Sequence, residues 1–224
     1  MSDRFDADIT RVVLRPLASP LPLGMVALAV GTFAVAGLQL SWIPPGQSRA
    51  VGLLLLAFVV PLQALSSVFG FLARDPAAST GMAVQGGGWF SIGLTLYTGS
   101  PGHVTPALGL VLLGAATVLL VPVVVSSLSK VLASIVMALT AVRFYLTGAY
   151  ELSAGHTWET ASAAAGLLLA VVALYAGLAF ELEDSSKSTV LPTFRRRQGE
   201  TAIRGSMMDE VRGVENEAGV RRKL

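Results

Sequence analysis

"TGMAVQGGGWFSIGLTLY", Thr80–Tyr97, is the least apolar of six long stretches in this chain, and its reading decides the fold. It has no charge, but it carries a glutamine and three consecutive glycines, Gly86, Gly87 and Gly88. About 20 helical residues cross a bilayer core of about 30 Å, and this stretch is close to that length. Glycine-rich backbone is a poor lipid-facing surface, and irregular backbone at membrane depth is tolerated only where protein or a wet cavity surrounds it. The stretch therefore reads as an inner helix or a broken one. The glycines either let neighbouring helices approach closely or leave room for a permeating molecule, with Trp89 and Phe90 as a gate.

Around it stand five clearer spans, approximately Leu23–Trp42, Ala50–Leu72, Ala107–Val125, Val131–Tyr150 and Ala161–Phe180. The composition agrees. Charged residues make up 13% of the chain, about half the usual fraction of a soluble domain, and mean hydropathy is +0.67. The expected fold class is all-α, a polytopic membrane protein with six transmembrane helices. Residues 1–18 form an N-terminal segment, 19–183 the membrane domain, and 184–224 a basic tail that composition marks as mobile. Residues 2–18 could lie as an amphipathic helix on the membrane surface, and a helix is possible around Met207–Val220. The N-terminus has scattered acids and no apolar core near its start, so it does not read as a cleavable signal.

Orientation follows from the cations. Arg4, Arg11, Arg15, Arg74, Lys130 and the nine Lys and Arg of the tail fall on one side of six spans; Arg49 alone falls on the other. Both termini are expected in the cytoplasm, with the protein in the plasma (inner) membrane. "RRR" at Arg195–Arg197 then reads as a topology signal and a contact for anionic lipid rather than nucleic acid.

Arg143 is the remaining cation, inside the fifth span and thirteen residues past Lys130, hence about 20 Å along the helix. An intramembrane arginine is a functional-site hypothesis by default: it could draw a small anion toward a pore. It could equally snorkel to the outer interface or pair with Glu151, two turns on. Gln63 follows Pro61 in the second span, where it could satisfy a carbonyl freed by the proline or line a path. His103 and His156 are not spaced as a metal pair, and no metal or cofactor is expected. No nucleophile with a base, phosphate loop or redox pattern is present, so an enzyme is not expected.

The opening of the first span, "SPLPLGM" at Ser19–Met25, resembles the N-P-A-P-L-G-L signature of the acetate uptake transporters, the succinate–acetate permeases and their fungal relatives. "AGLLLAVVALYAGLAFELED" followed by "STVLP" resembles the closing helix of that family and its T-V-L-P exit, "PLQALSSVFGF" its glutamine-containing second span, and "KVLASIVMALT" the start of its fifth. The resemblance covers about Ser19 to Pro192. In physical terms, Pro20 and Pro22 suit a helix start, having no N–H to lose there, and Gly24 permits close contact. In the resembled family the segment Ser19, Pro20, Pro22, Leu23 and Gly24 lies by the pore entrance.

The resemblance also implies a narrow constriction. Its phenylalanine position is Leu28 here, its third-span tyrosine falls near Trp89, and its fifth-span leucine is Leu139. Gln63, Ala173 and Tyr175 match the second-span glutamine and the small residue and tyrosine of the sixth helix. Ser19 replaces the asparagine of the motif, and the glutamate ending the second span has no counterpart. "GGGWFSIG" replaces an aromatic stretch, and Arg143 stands where an apolar residue is usual. The implied function is a permease for acetate or other small monocarboxylates, with proton coupling, in a homo-oligomer that resembled members form as a hexamer. A pore for succinate or ammonium, or a scaffold that does not transport, are the alternatives. The partners expected are thus a small carboxylate, membrane lipid and further copies of the chain.

Overall fold

The computed structural model describes residues 18–186, 188–197 and 199–200. They form six long helices: α1 Leu21–Gln39, α2 Pro45–Leu72, α3 Pro76–Thr98, α4 Pro106–Ser127, α5 Val131–Ser153 and α6 His156–Ser186. Five are long and apolar enough to cross a membrane. The sixth, α3, is the glycine-rich stretch that opens the sequence reading; its 23 residues make about 34 Å of helix. It is unbroken, which rules out an interrupted helix, and it is not an inner helix either: as one member of the ring it turns Ala83, Gly87, Phe90 and Leu94 outward. The possible surface helix over residues 2–18 lies almost wholly outside the described residues, as does the one at Met207–Val220.

The irregular helix is α2. It opens with a 3-10 turn, Pro45–Gln47, and continues as α-helix Ser48–Leu54, a π-helical turn Leu55–Val59 and α-helix Val60–Leu72. The π turn lies directly before Pro61, whose missing N–H and ring disturb the helical ladder on that side. The other starts are simpler. Pro76 and Pro106 begin α3 and α4 where no N–H is needed, and Asp75 caps α3 by accepting from Ala78 N at 3.2 Å.

The helices close into a ring: α1 packs on α2, α2 on α3, α3 on α4, α4 on α5, α5 on α6, and α6 back on α1. Small residues let the backbones meet. A Cβ on Gly52 of α2 would sit 2.6 Å from the carbonyl oxygen of Gly93 on α3, and one on Gly109 of α4 would sit 3.0 Å from that of Gly148 on α5. The glycine run itself mostly serves packing: a Cβ on Gly88 would fall 2.4 Å from the Phe144 ring. Apolar side chains such as Phe33, Leu54, Leu110, Val121, Val124 and Val171 point outward and remain exposed, as an apolar solvent or further subunits require. Phe90 is among the exposed side chains and does not join Trp89 as a gate.

Both ends of the described chain lie on one face, where Ser19 N donates to Asp184 at 3.4 Å; we call it the terminal face and the opposite one the distal face. There the expectation of a mobile tail over residues 184–224 is corrected for its described start, the remainder lying outside the described residues. The helix runs on to Ser186, and the segment after it is strapped across the start of α5. Leu132 N donates to Thr193 O at 3.4 Å and Arg196 N to Ser129 O at 2.9 Å. The clasp is Glu183, whose side chain is 1% exposed. It accepts from Thr189 at 3.2 Å and Thr193 at 3.0 Å, and takes Arg195 Nε at 2.8 Å and Nη2 at 2.6 Å. Arg195 is therefore a structural partner of Glu183, not a free lipid contact. Beside the strap, Lys130 pairs with Asp75.

Removing one partner of a buried ion pair strands the other. Glu183→Ala is expected to destabilise the protein by about 3 kcal/mol and to open residues 188–200 to protease, read by thermal unfolding in detergent and limited proteolysis. Glu183→Gln, which can still accept from the threonines, is expected to fall between the two.

Candidate functional site

The interior of the ring carries polar groups at every level. At the distal face a cavity of about 150 Å³ opens between α1, α3, α5 and the loops; its lining includes Gln39, Ser48, His103, Tyr150, Glu151 and Glu159. Its deepest polar residue on α5 is Thr147, with Val35 and Ile92 opposite. Glu151 accepts from Thr105 N at 2.6 Å, and Glu159 lies 3.5 Å from the exposed His156 ring.

Below the cavity, Thr147 Oγ1 and Ser162 Oγ are 2.7 Å apart, and Gln39 Nε2 donates to Ser162 Oγ at 3.2 Å. One helical turn further in is Arg143. It is 0% exposed, which excludes the snorkelling arrangement. Its Nη1 donates to Ser162 O at 3.1 Å, while Nε and Nη2 have no hydrogen-bond partner. Glu151 is not its counter-ion: Glu151 lies two turns away at the cavity and is engaged by Thr105. Among the described residues no carboxylate forms an ion pair with Arg143. The guanidinium fits because Gly166 on α6 has no side chain; a Cβ there would lie 1.3 Å from Nη1. Thr32 Oγ1 donates to the carbonyl of that same glycine at 3.2 Å.

Trp89 of α3 covers the guanidinium, its ring centroid 5.8 Å from Arg143 Cζ, a cation–π distance. Phe144 stands edge-on to it at 5.9 Å. Trp89 is 0% exposed and its indole N–H has no partner. One turn toward the terminal face on α3 is Gln85, fully buried with both amide atoms unpartnered. A glutamine four residues before a tryptophan shares its helix face, a spacing that could have singled out Gln85 but did not.

Gln63 joins the same interior. Its Nε2 donates to Gly24 O at 3.0 Å, and its Oε1 has no partner. It thus binds a carbonyl of α1 rather than one freed by Pro61 in its own helix. The "SPLPLG" segment is held here. Ser66 Oγ donates to Pro20 O at 2.7 Å, Leu21 and Pro22 are buried, Leu23 faces outward, and a Cβ on Gly24 would lie 2.5 Å from Met82 Sδ. Close contact at Gly24 is therefore required.

Of the residues implied as a constriction, Leu28, Trp89 and Ala173 belong to one buried core, with Leu139 packed against it and only partly buried. Tyr175, like Leu139, is partly buried against that core, and its hydroxyl donates to Pro192 O of the strap at 3.0 Å. The sequence reading missed the cavity and the Gln39–Thr147–Ser162 cluster, since single serines and threonines in apolar helices carry no distinguishing pattern.

The sequence matches the profile of the GPR1/FUN34/yaaH family over residues 2–195. Among solved structures, the bacterial acetate channel SatP is similar, with a TM-score of 0.69 and 17% identity over 80% of this chain and 99% of that one. A search of curated proteins returns no match. The chain belongs to the GPR1/FUN34/yaaH family and shares its helical membrane fold with that channel; it is an integral membrane protein of transporter or channel type, not an enzyme.

Gly166→Ala is expected to push the guanidinium from its place and break the bond to Ser162 O. With Trp42 and Trp158 changed to Phe, the emission of Trp89 should shift on this substitution; unchanged emission would mean that the methyl is absorbed without moving Arg143.

Proposed function

We propose that this family member is a permease for acetate and other small monocarboxylates, coupled to protons, with the path running along the ring interior. The observation that carries the reading is the sequence of polar environments from face to face: a polar distal cavity, a buried cation at Arg143 one turn below it, then the amides of Gln85 and Gln63; in this reading apolar Leu28, Trp89, Leu139 and Ala173 form the narrow part. The name of the similar acetate channel supports the substrate class. A cation such as ammonium would meet Arg143 on this path, which disfavours that alternative.

Proton coupling has a physical basis in this arrangement. A carboxylate is costly in a low-dielectric passage, and its neutral acid far less so. Arg143 draws the anion inward; the apolar level beyond it favours the protonated form. On this reading uptake rises as the pH on the distal side falls.

In this reading the protein lies in the plasma (inner) membrane with both termini cytoplasmic, in line with the bias of Lys and Arg. It assembles as a homohexamer, for which the exposed apolar faces of α2 and α4 offer surface. Tyr175 acts at the cytoplasmic exit through its bond to the strap.

The test is uptake of labelled acetate into proteoliposomes with and without an inward proton gradient. Gradient-stimulated uptake that propionate competes is expected, with Trp89→Ala and Leu139→Ala lowering it severalfold in correctly assembled protein. No uptake above empty liposomes by folded, inserted protein would refute the permease reading.

A further inference from the structure

The buried guanidinium has more hydrogen-bonding capacity than its surroundings use. One nitrogen, Nη1, is tied to Ser162 O. The other two, Nε and Nη2, lie along one edge of the planar group and have no partner. This edge offers two near-parallel N–H donors, the geometry that matches the two oxygens of a carboxylate. A buried charge without a counter-charge is strongly disfavoured. The groups around Arg143 are Ser162 O and Gly166 on α6, Trp89 on α3, and Phe144 and Thr147 on its own helix; none is anionic.

We propose that Arg143, together with the indole N–H of Trp89, forms a seat for the ionised head of a small planar oxyanion, above all a monocarboxylate, with Nε–H and Nη2–H donating to its two oxygens. The inference rests on the permease reading for its substrate class and adds to it which species is bound and by which atoms. In this proposal the anion enters from the distal cavity. The distal cavity reaches Thr147 and Ile92, four residues past Arg143 and three past Trp89, so its floor lies about one turn, 5–6 Å, above the seat. The bound form is the anion, so a proton from the distal aqueous side must join it before it leaves toward Leu139, one turn back along α5 on the side of the terminal face. Arg143 thereby separates binding, which favours the charged form, from passage, which favours the neutral one.

The proposal distinguishes fork from charge. Lysine keeps the positive charge but lacks the planar pair of donors. Planar oxyanions such as formate and nitrate fit the fork; chloride, a sphere, engages it poorly.

The experiment is calorimetric titration of full-length protein in detergent with sodium acetate, in carboxylate-free buffer at neutral pH. Wild type is expected to bind saturably, with nitrate competing much better than chloride. Arg143→Lys should bind at least about tenfold more weakly, and Arg143→Met should show no binding while unfolding thermally no earlier than wild type. No saturable binding by wild type overturns the seat. So does wild-type affinity in folded Arg143→Met, or chloride competing as well as nitrate. Uptake measured on the same preparations separates the two readings. Arg143-dependent binding without any uptake refutes the permease and leaves the seat; uptake with binding indifferent to Arg143 refutes the seat alone.

Discussion

Close approach between helix backbones is the constraint on which this ring depends. In a bilayer there is no hydrophobic gain from bringing apolar helices together, so packing and polar contacts must hold them. At the Gly52–Gly93 and Gly109–Gly148 contacts a single added Cβ would meet the backbone carbonyl of the facing helix. At Gly24 and Gly88 it would meet Met82 and Phe144. The same economy of space at Gly166 lets a whole guanidinium enter the interior. The glycines that weaken α3 as a membrane span are those that let α2 and α5 press against it.

A ring held this closely has an interior separate from its surface, and the polar groups divide accordingly. Some are structural. Gln63 and Ser66 bind carbonyls at the start of α1, and Glu183 gathers Thr189, Thr193 and Arg195 to clasp the strap. These groups are satisfied or nearly so. Others, at Gln85, Trp89 and Arg143, retain unpartnered donors although fully buried. Buried polar atoms are normally bonded, and these unbonded ones fall at mid-ring, within about one helical turn of Arg143.

Much of this was legible beforehand. Hydropathy and length locate all six helices to within a few residues at most ends, because a bilayer imposes the same length on every span. The proline start of α1 was readable from the absence of an N–H requirement, whereas the starts of α3 and α4 at Pro76 and Pro106 went unread. The π turn before Pro61 was not, since a proline disturbs a helix without dictating how the ladder recovers. The docked strap was also hidden: "FRRRQGE" has the composition of a solvated tail, and only the buried Glu183, twelve residues before Arg195, turns it inward.

By itself the sequence determined that this chain has six long helices of membrane-spanning length, that the third is the least apolar of them, and that one arginine lies within the span of the fifth. Those properties depend on composition and period, which are local. Tertiary structure decided where that arginine points. Spacing offered Glu151 as its partner, but eight residues along a helix is about 12 Å of rise, and the notch at Gly166 with the ring of Trp89 draws the guanidinium inward instead. That outcome depends on surfaces contributed by three helices, from residues 89, 143 and 166, and no local pattern in the sequence encodes their meeting.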